Sequence, residues 1–255
     1  MDTSTAIVAL LELSHQLGRE DRSLAILGEG NTSTRIDENS FLVKASGSNL
    51  ATLAPENVTE CRFADLLALL EKKDLKDSEI DEALLASRVN PAAKKPSVEA
   101  IFHAWLLTLP GVNFVGHTHP IAVNSLLCSR WGQSFAEHRL FPDEIVCCGE
   151  RSVYVPYTDP GLQLAAAIRR ETMEFTQQHH QAPRVILLEN HGLIALGSSA
   201  QAVSAATLMA DKAARIFIGA TSVNGGAAPR FLSDEQIARI AGRPDEHYRR
   251  QMLKL

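Results

Sequence analysis

The chain alternates between stretches where apolar residues recur every three or four positions and stretches where they run together for four to six. Near the N-terminus Ile7, Leu10, Leu11 and Leu17 stand at helical spacing, interrupted by Ser14, with Thr3, Ser4 or Thr5 placed to cap. "SLAILGEGNTSTRID" then mixes short apolar runs with glycine and small hydroxyls. "SFLVKASG" predicts a strand ending in a glycine turn, and "ENVTECRF" a strand running into a helix at "ADLLALLEK". Residues 71–96 are polar and predict a surface helix followed by a Pro/Lys loop, a solvated face rather than a binding site. "PSVEAIFHAWLLTLPG" opens with proline and serine, carries an early glutamate and stops at Pro-Gly, so a helix is expected over 97–109. "VNFVGHTHP" predicts a strand and "IAVNSLLCSRW" a helix. "DEIVCCG" and "SVYVPY" follow as short apolar runs, with Cys147 and Cys148 expected as buried strand thiols. A long helix is expected from Gly161 to His179, then a hairpin in "RVILLENHGLIALG" and an Ala-rich helix in "SAQAVSAATLMADKAARIFIGA". Two short helical pieces close the chain.

No repeat, low-complexity tract or linker divides these elements. A single α/β domain over residues 1–255 is the simplest expectation, with a core at about 5–220 and a helical tail at about 230–255. A hydrophobic content of 45% supports a sizeable core. The net charge of -5 and the scattered Lys and Arg provide no basic field, so no nucleic-acid or membrane partner is expected. No stretch approaches the roughly 20 apolar residues of a membrane span, and the N-terminus lacks the basic start of a signal peptide. The four cysteines form no CxxC pair, which argues against a thiolate zinc site, and a disulfide framework is not expected in so large a domain, so the setting is expected to be reducing and cytoplasmic.

The candidate chemistry lies in "GHTHP". Residues i and i+2 of a strand point to one side, so His117 and His119 can grip one ion at the end of an apolar strand. A third ligand is needed, and His191 at the turn of "LLENHGLIALG" is the best candidate. A carboxylate could complete the shell or act as acid and base beside it. Glu99 suits either role, although a glutamate early in a helix is also favoured by the helix dipole alone. His103, four residues on, shares its face and is expected to be structural or a supporting partner.

Taken in order, "GEGNTSTRI", "VKASGS", "KPSVEAIFHAWL", "VGHTHP" and "LLENHGLIALG" resemble the class II aldolase/adducin family, whose best-known members act like fuculose-1-phosphate aldolase. The resemblance implies a three-layer α/β/α domain with a mainly antiparallel central sheet, assembled as a homotetramer with active sites between subunits. It implies Zn2+, or another divalent ion such as Co2+, Mn2+ or Fe2+, on His117, His119 and His191, with Glu99 as the catalytic residue. It places a phosphate cradle on Gly30, Asn31, Ser46, Gly47 and Ser97, helped by the first turn of the 97–109 helix. The implied activity is that of an aldehyde-lyase. A ketose 1-phosphate is cleaved to dihydroxyacetone phosphate and an aldehyde by a retro-aldol reaction through a metal-stabilised enediolate, with Glu99 moving the proton at carbon.

Three departures from the family pattern bear on the substrate. Val98 stands where a second serine often helps hold phosphate. Lys44 stands where a neutral residue is common, and could meet a phosphate or a carboxylate. The tyrosine that protonates the leaving aldehyde has no match; Arg139 falls there, with Asp143 and Glu144 nearby as substitutes. The polar segment 71–96 resembles the longer, rhamnulose-aldolase-like branch. Pentulose-phosphate 4-epimerase-like and sugar-acid-phosphate decarboxylase chemistry are the alternatives on this scaffold. Epimerase relatives generally carry Asp at the position of Glu99. A non-catalytic adducin-like binding module would lack the histidines that are present here.

Overall fold

The computed structural model describes residues 2–72 and 75–253. Seven strands make one sheet: β1 (Asn31–Arg35), β2 (Ser40–Lys44), β3 (Val58–Arg62), β4 (Phe114–Thr118), β5 (Val153–Val155), β6 (Val185–Leu188) and β7 (Gly192–Gly197). They lie in the order β3-β2-β1-β4-β7-β6-β5, and every neighbouring pair is antiparallel except β5 with β6. The mixed, mainly antiparallel α/β architecture expected from the sequence is the one observed.

Both faces of the sheet are covered, which explains why β6 and β7 read as unbroken apolar runs. In β6, Val185 and Leu187 join one core while Ile186 and Leu188 join the other; in β7, Leu193 and Ala195 part from Ile194 and Leu196 in the same way. Five helices supply the first core: α1 (Thr3–Leu17), α5 (Ile121–Leu127), α6 (Gly132–Glu137), α7 (Pro142–Cys148) and α9 (Ala200–Val223). Four supply the second: α2 (Phe63–Leu67), α3 (Asp77–Ala86), α4 (Ala100–Leu106) and α8 (Leu162–His179). α9 buries Val203, Ala206, Ala210, Ala213, Ala214 and Phe217, a stripe at helical period. Its small residues let it close on β4. A Cβ on Gly116 would stand 2.8 Å from side-chain atoms of both Leu17 and Val203. The tail forms α10 (Asp234–Ala241) and α11 (Pro244–Leu253), and Ile237 and Ile240 pack on Ile145 of α7.

Several local expectations are corrected. Asp2, not a hydroxyl residue, caps α1 by accepting from Thr5 N. The buried face of α1 is Ala6, Leu10, Leu13, Ser14 and Leu17. Ser14 belongs to it because its hydroxyl bonds Leu10 O and Thr32 Oγ1. "DEIVCCG" is helix α7, not a strand. Pro142 opens it, Asp143 and Glu144 fill its first turn, and Gly149 leaves it at φ +82°. Cys147 and Cys148 are therefore helix thiols, and all four cysteines are free. The helix expected over 97–109 starts only at Ala100, because Pro96 bridges Ala45 and Ser97 Oγ accepts from Glu99 N. Of the polar segment 71–96, Lys73 and Asp74 lie outside the described residues. No helix among the described residues is long and apolar enough to cross a membrane.

Candidate metal centre

β4 ends in His117 and Thr118, and His119 follows directly. His117 pairs with Ile194 of β7 on one side and with Asn31 of β1 on the other. His191 enters from the β6–β7 turn. Asn190 takes a left-handed conformation there (φ 52°), and Asn124 Nδ2 of α5 donates to His191 O at 3.0 Å. Gly192 must be small: a Cβ would sit 2.5 Å from His119 Cδ2 and 2.7 Å from Thr118 O. Gly30, at φ +68°, likewise lets the β1 turn press against His117 O. These contacts gather His117, His119 and His191 so that one ligand atom from each lies within 4.8 Å of the others.

The donor chemistry fits a divalent cation. His117 Nδ1 lies 3.0 Å from Leu193 O, a carbonyl that only accepts, so this nitrogen carries the proton and Nε2 is a bare lone pair. His119 Nε2 is 3.0 Å from that lone pair, a spacing that calls for a proton or a cation between them. Glu99 Oε1 stands 3.6 Å from His117 Nε2 and 3.5 Å from His191 Nε2. Three neutral imidazoles and a carboxylate oxygen converging in this way match the ligands zinc and its neighbours take. The rings are held neutral. Burial, then His191, pushes His117 down to about 3, and burial, then His117, pushes His119 down to about 4. Burial also lowers His191, against the pull of Glu99.

Two supporting residues escaped the sequence reading. Glu29 Oε2 lies 3.7 Å from His119 Nδ1, on the side of the ring facing away from the cluster. Ser33 Oγ bonds His103 Nδ1 at 2.6 Å, and His103 Nε2 bonds Asn31 Oδ1. Asn31 and Ser33 share a strand face, and this alternation was the available signal.

The other expected site residues divide. Gly30 and Asn31 adjoin the cluster, and Asn31 Nδ2 donates to Glu99 Oε2. Lys44 is not solvated. It is 3% exposed, its Nζ donates to Gly28 O at 3.3 Å and to Ser48 O at 2.6 Å, and burial lowers its pKa while Glu99 raises it. It thus ties the loop before β1 to the loop holding Ser46 and Gly47 (φ +74°). That loop is joined in turn to the 95–97 segment by Ser46 N→Lys95 O and the Ala45–Pro96 bridge. The expected help from the first helical turn is absent, since the N–H groups of Glu99, Ala100 and Ile101 are engaged by Ser97 Oγ, Ser97 O and Val98 O.

Arg139 is not brought to the cluster. It is 1% exposed and donates to Gly149 O, Ala136 O, His138 O and Ser152 Oγ, joining α6, the end of α7 and the approach to β5. Glu144 lies against it at 3.9 Å and Asp143 pairs with Arg249, so neither substitute acid reaches the cluster.

The sequence matches the Class II Aldolase and Adducin N-terminal domain family over residues 8–218, and the chain belongs to that family. A Bacillus subtilis (strain 168) protein named uncharacterized oxidoreductase YuxG is 30% identical over 189 residues, 71% of this chain and 25% of that protein. The chain thus spans about a quarter of that relative. The 3-oxo-tetronate 4-phosphate decarboxylase of Haemophilus influenzae (strain ATCC 51907 / DSM 11121 / KW20 / Rd) is 27% identical over 240 residues, 92% of this chain and 98% of that protein. Among solved structures, an L-fuculose 1-phosphate aldolase superposes with a TM-score of 0.69 at 18% identity, covering 94% of this chain and 96% of that one.

Proposed function

We propose that the chain is a metal-dependent carbon–carbon lyase that cleaves a ketose 1-phosphate to dihydroxyacetone phosphate and an aldehyde. One observation carries this reading: Glu99 Oε1 faces the nitrogens of His117 and His191 at 3.6 and 3.5 Å inside the histidine cluster. His117, His119 and His191 would hold the divalent ion, zinc in the first instance. When bound, that ion supplies a Lewis acid for the charge that gathers on substrate oxygen as the bond breaks. Glu99 then has a defined task. Its Oε1, facing the histidine cluster, would return a proton to the carbon left electron-rich and remove it in the reverse direction. Gly30, Asn31, Ser46, Gly47 and Ser97 would cradle the phosphate. Lys44 has no carboxylate within ion-pair distance among the described residues, and would gain its counter-charge from that anion.

Decarboxylation of a sugar-acid phosphate is the second reading, favoured by the full-length decarboxylase relative and by buried Lys44. It uses the same electron sink; retro-aldol cleavage must also take the hydroxyl proton from the alcohol that becomes the aldehyde, whereas a carboxylate leaves as carbon dioxide with no proton to move, so no proton-transfer group is required in the place of Arg139. We also propose a homotetramer. Ile26 and Leu27, on the loop before Glu29, and Ile121, which opens α5 two residues after His119, are exposed apolar residues that a second copy would cover. Four free cysteines suit a cytoplasmic setting.

The experiment offers the zinc-, cobalt-, manganese- or iron-loaded protein fuculose- and rhamnulose-1-phosphates in one arm and 3-oxo sugar-acid 4-phosphates in the other. Aldehyde release supports the first reading and carbon dioxide release the second. Turnover in neither arm overturns both.

A further inference from the structure

Four buried or half-buried polar side chains form a line that ends on the candidate catalytic carboxylate: Ser33, His103, Asn31 and Glu99. Their chemistry gives the line a direction. An ionised carboxylate only accepts, so the Asn31 amide turns its NH2 to Glu99 Oε2. Its carbonyl Oδ1 is thereby turned to His103, whose Nε2 must carry the proton. His103 Nδ1 is then the bare nitrogen, and the Ser33 hydroxyl donates to it at 2.6 Å. Every donor points toward Glu99.

We infer that His103 is a positioning residue for the metal centre: through Asn31 it pins Glu99 Oε2 and so presents Oε1 to the histidine cluster. Without a donor at His103 Nε2 the Asn31 carbonyl is left without its partner, and the amide is no longer held from both ends. An Asn31 side chain that turns to find another donor takes its NH2 away from Glu99 Oε2 and frees the carboxylate. His103 suits this duty because it is fully buried on α4, bonded to Ser33 and Asn31 of β1 and stacked on Phe102 at 4.8 Å. Burial, with His117 and Lys44 nearby, holds it well below the ordinary histidine range, so it stays a ring with one donor and one acceptor. Bonds arranged head to tail in a low-dielectric interior also strengthen one another.

The inference rests on the metal-site reading, and its test separates the two. Zinc affinity is measured by chelator competition on the wild type, His103→Gln and His103→Leu, with folding followed by circular dichroism. Glutamine keeps an N–H near the place of Nε2; leucine does not. His103→Leu is expected to lose about tenfold to a hundredfold in zinc affinity, and His103→Gln to stay within about threefold of the wild type. Equal affinity in all three, or equal loss in both variants, overturns the positioning role while leaving the metal site standing. A wild type that binds no zinc overturns both. Should the leucine variant fail to fold, imidazole nitrogen NMR on the wild type decides alone. A proton on His103 Nε2 with Nδ1 accepting is required, and the opposite tautomer overturns the relay.

Discussion

His117, His119 and His191 differ in what holds the far side of each ring. His117 leans on a backbone carbonyl, His119 faces Glu29, and His191 Nδ1 is buried with no partner among the described residues. Each ring still contributes a nitrogen to one small volume, so losing any one should leave two ligands, too few for a tight site. Changing His117, His119 or His191 singly to alanine should leave the fold in place and strip most of the metal, read as ions per chain by plasma mass spectrometry. Stoichiometric metal in all three would refute the assignment. Glu99→Gln separates binding from chemistry. At saturating zinc it should still fill with metal and keep its secondary structure, with an affinity weakened as in His103→Leu, yet slow proton exchange at the substrate carbon by about two orders of magnitude or more. Solvent-deuterium incorporation checks this, and unchanged exchange would remove Glu99 from the mechanism.

At the scale of elements, the site depends on how closely strands and turns approach. Gly192 is the point where β7 begins beside His119, and a methyl group there has no room. Gly192→Ala should cost about 1–3 kcal/mol of stability. It should also weaken metal binding about tenfold or more, because the nearest atom to move belongs to a ligand ring. Thermal melts with and without zinc measure both effects; a variant matching the wild type in each would show that the turn has slack. α4 illustrates a different dependence. Its late start at Ala100 places Glu99 at the cap position, where the backbone can aim the carboxylate back across the sheet toward β4.

For the whole molecule, buried neutral histidines make stability depend on pH. His117 falls to about 3 and His119 to about 4 in the fold, against an ordinary 6.5. Above 6.5 neither state takes up protons and these groups contribute nothing. As pH falls below 6.5 the unfolded chain binds protons that the fold refuses, so stability drops, continuously to about 4 for His119 and about 3 for His117. The slope approaches about 1.4 kcal/mol per pH unit for each such histidine. Metal-free protein should therefore melt progressively lower from pH 7 to pH 4, and zinc should raise the melting temperature near pH 7 and lose its effect toward pH 4. A melting temperature flat over this range would contradict the neutral, buried state of the cluster. Assembly is tested at the same scale. Leu27, 81% exposed two residues before Glu29, is a candidate contact. Leu27→Asp should shift the sedimentation coefficient toward the monomer while keeping metal; an unchanged value would place the interface elsewhere.

Much of this was legible in the chain itself. The period-two spacing of His117 and His119, the His191-Gly192 turn and the early glutamate of the helix depend only on local geometry, and the order of five short motifs carried the family and with it the fold. What local pattern could not decide was set by contacts between residues distant in the chain. "DEIVCCG" is apolar enough for a strand, but Pro142 and its packing on α9 and α10 make it a helix. Nothing in the local pattern marks Lys44 as buried, yet two carbonyls from different loops hold it in the interior. Arg139 looked like a stand-in acid, yet four acceptors claim its guanidinium. Above all, the pairing of β1 with β4 brings Asn31 beside His117 and, through α4, onto Glu99 and His103. The types of side chain, and so the chemistry available, were written in the sequence. Which of them meet was decided by the sheet register and the burial that comes with it, because a hydrogen bond needs its partners within about 3 Å and spacing along the chain cannot supply that across 70 residues.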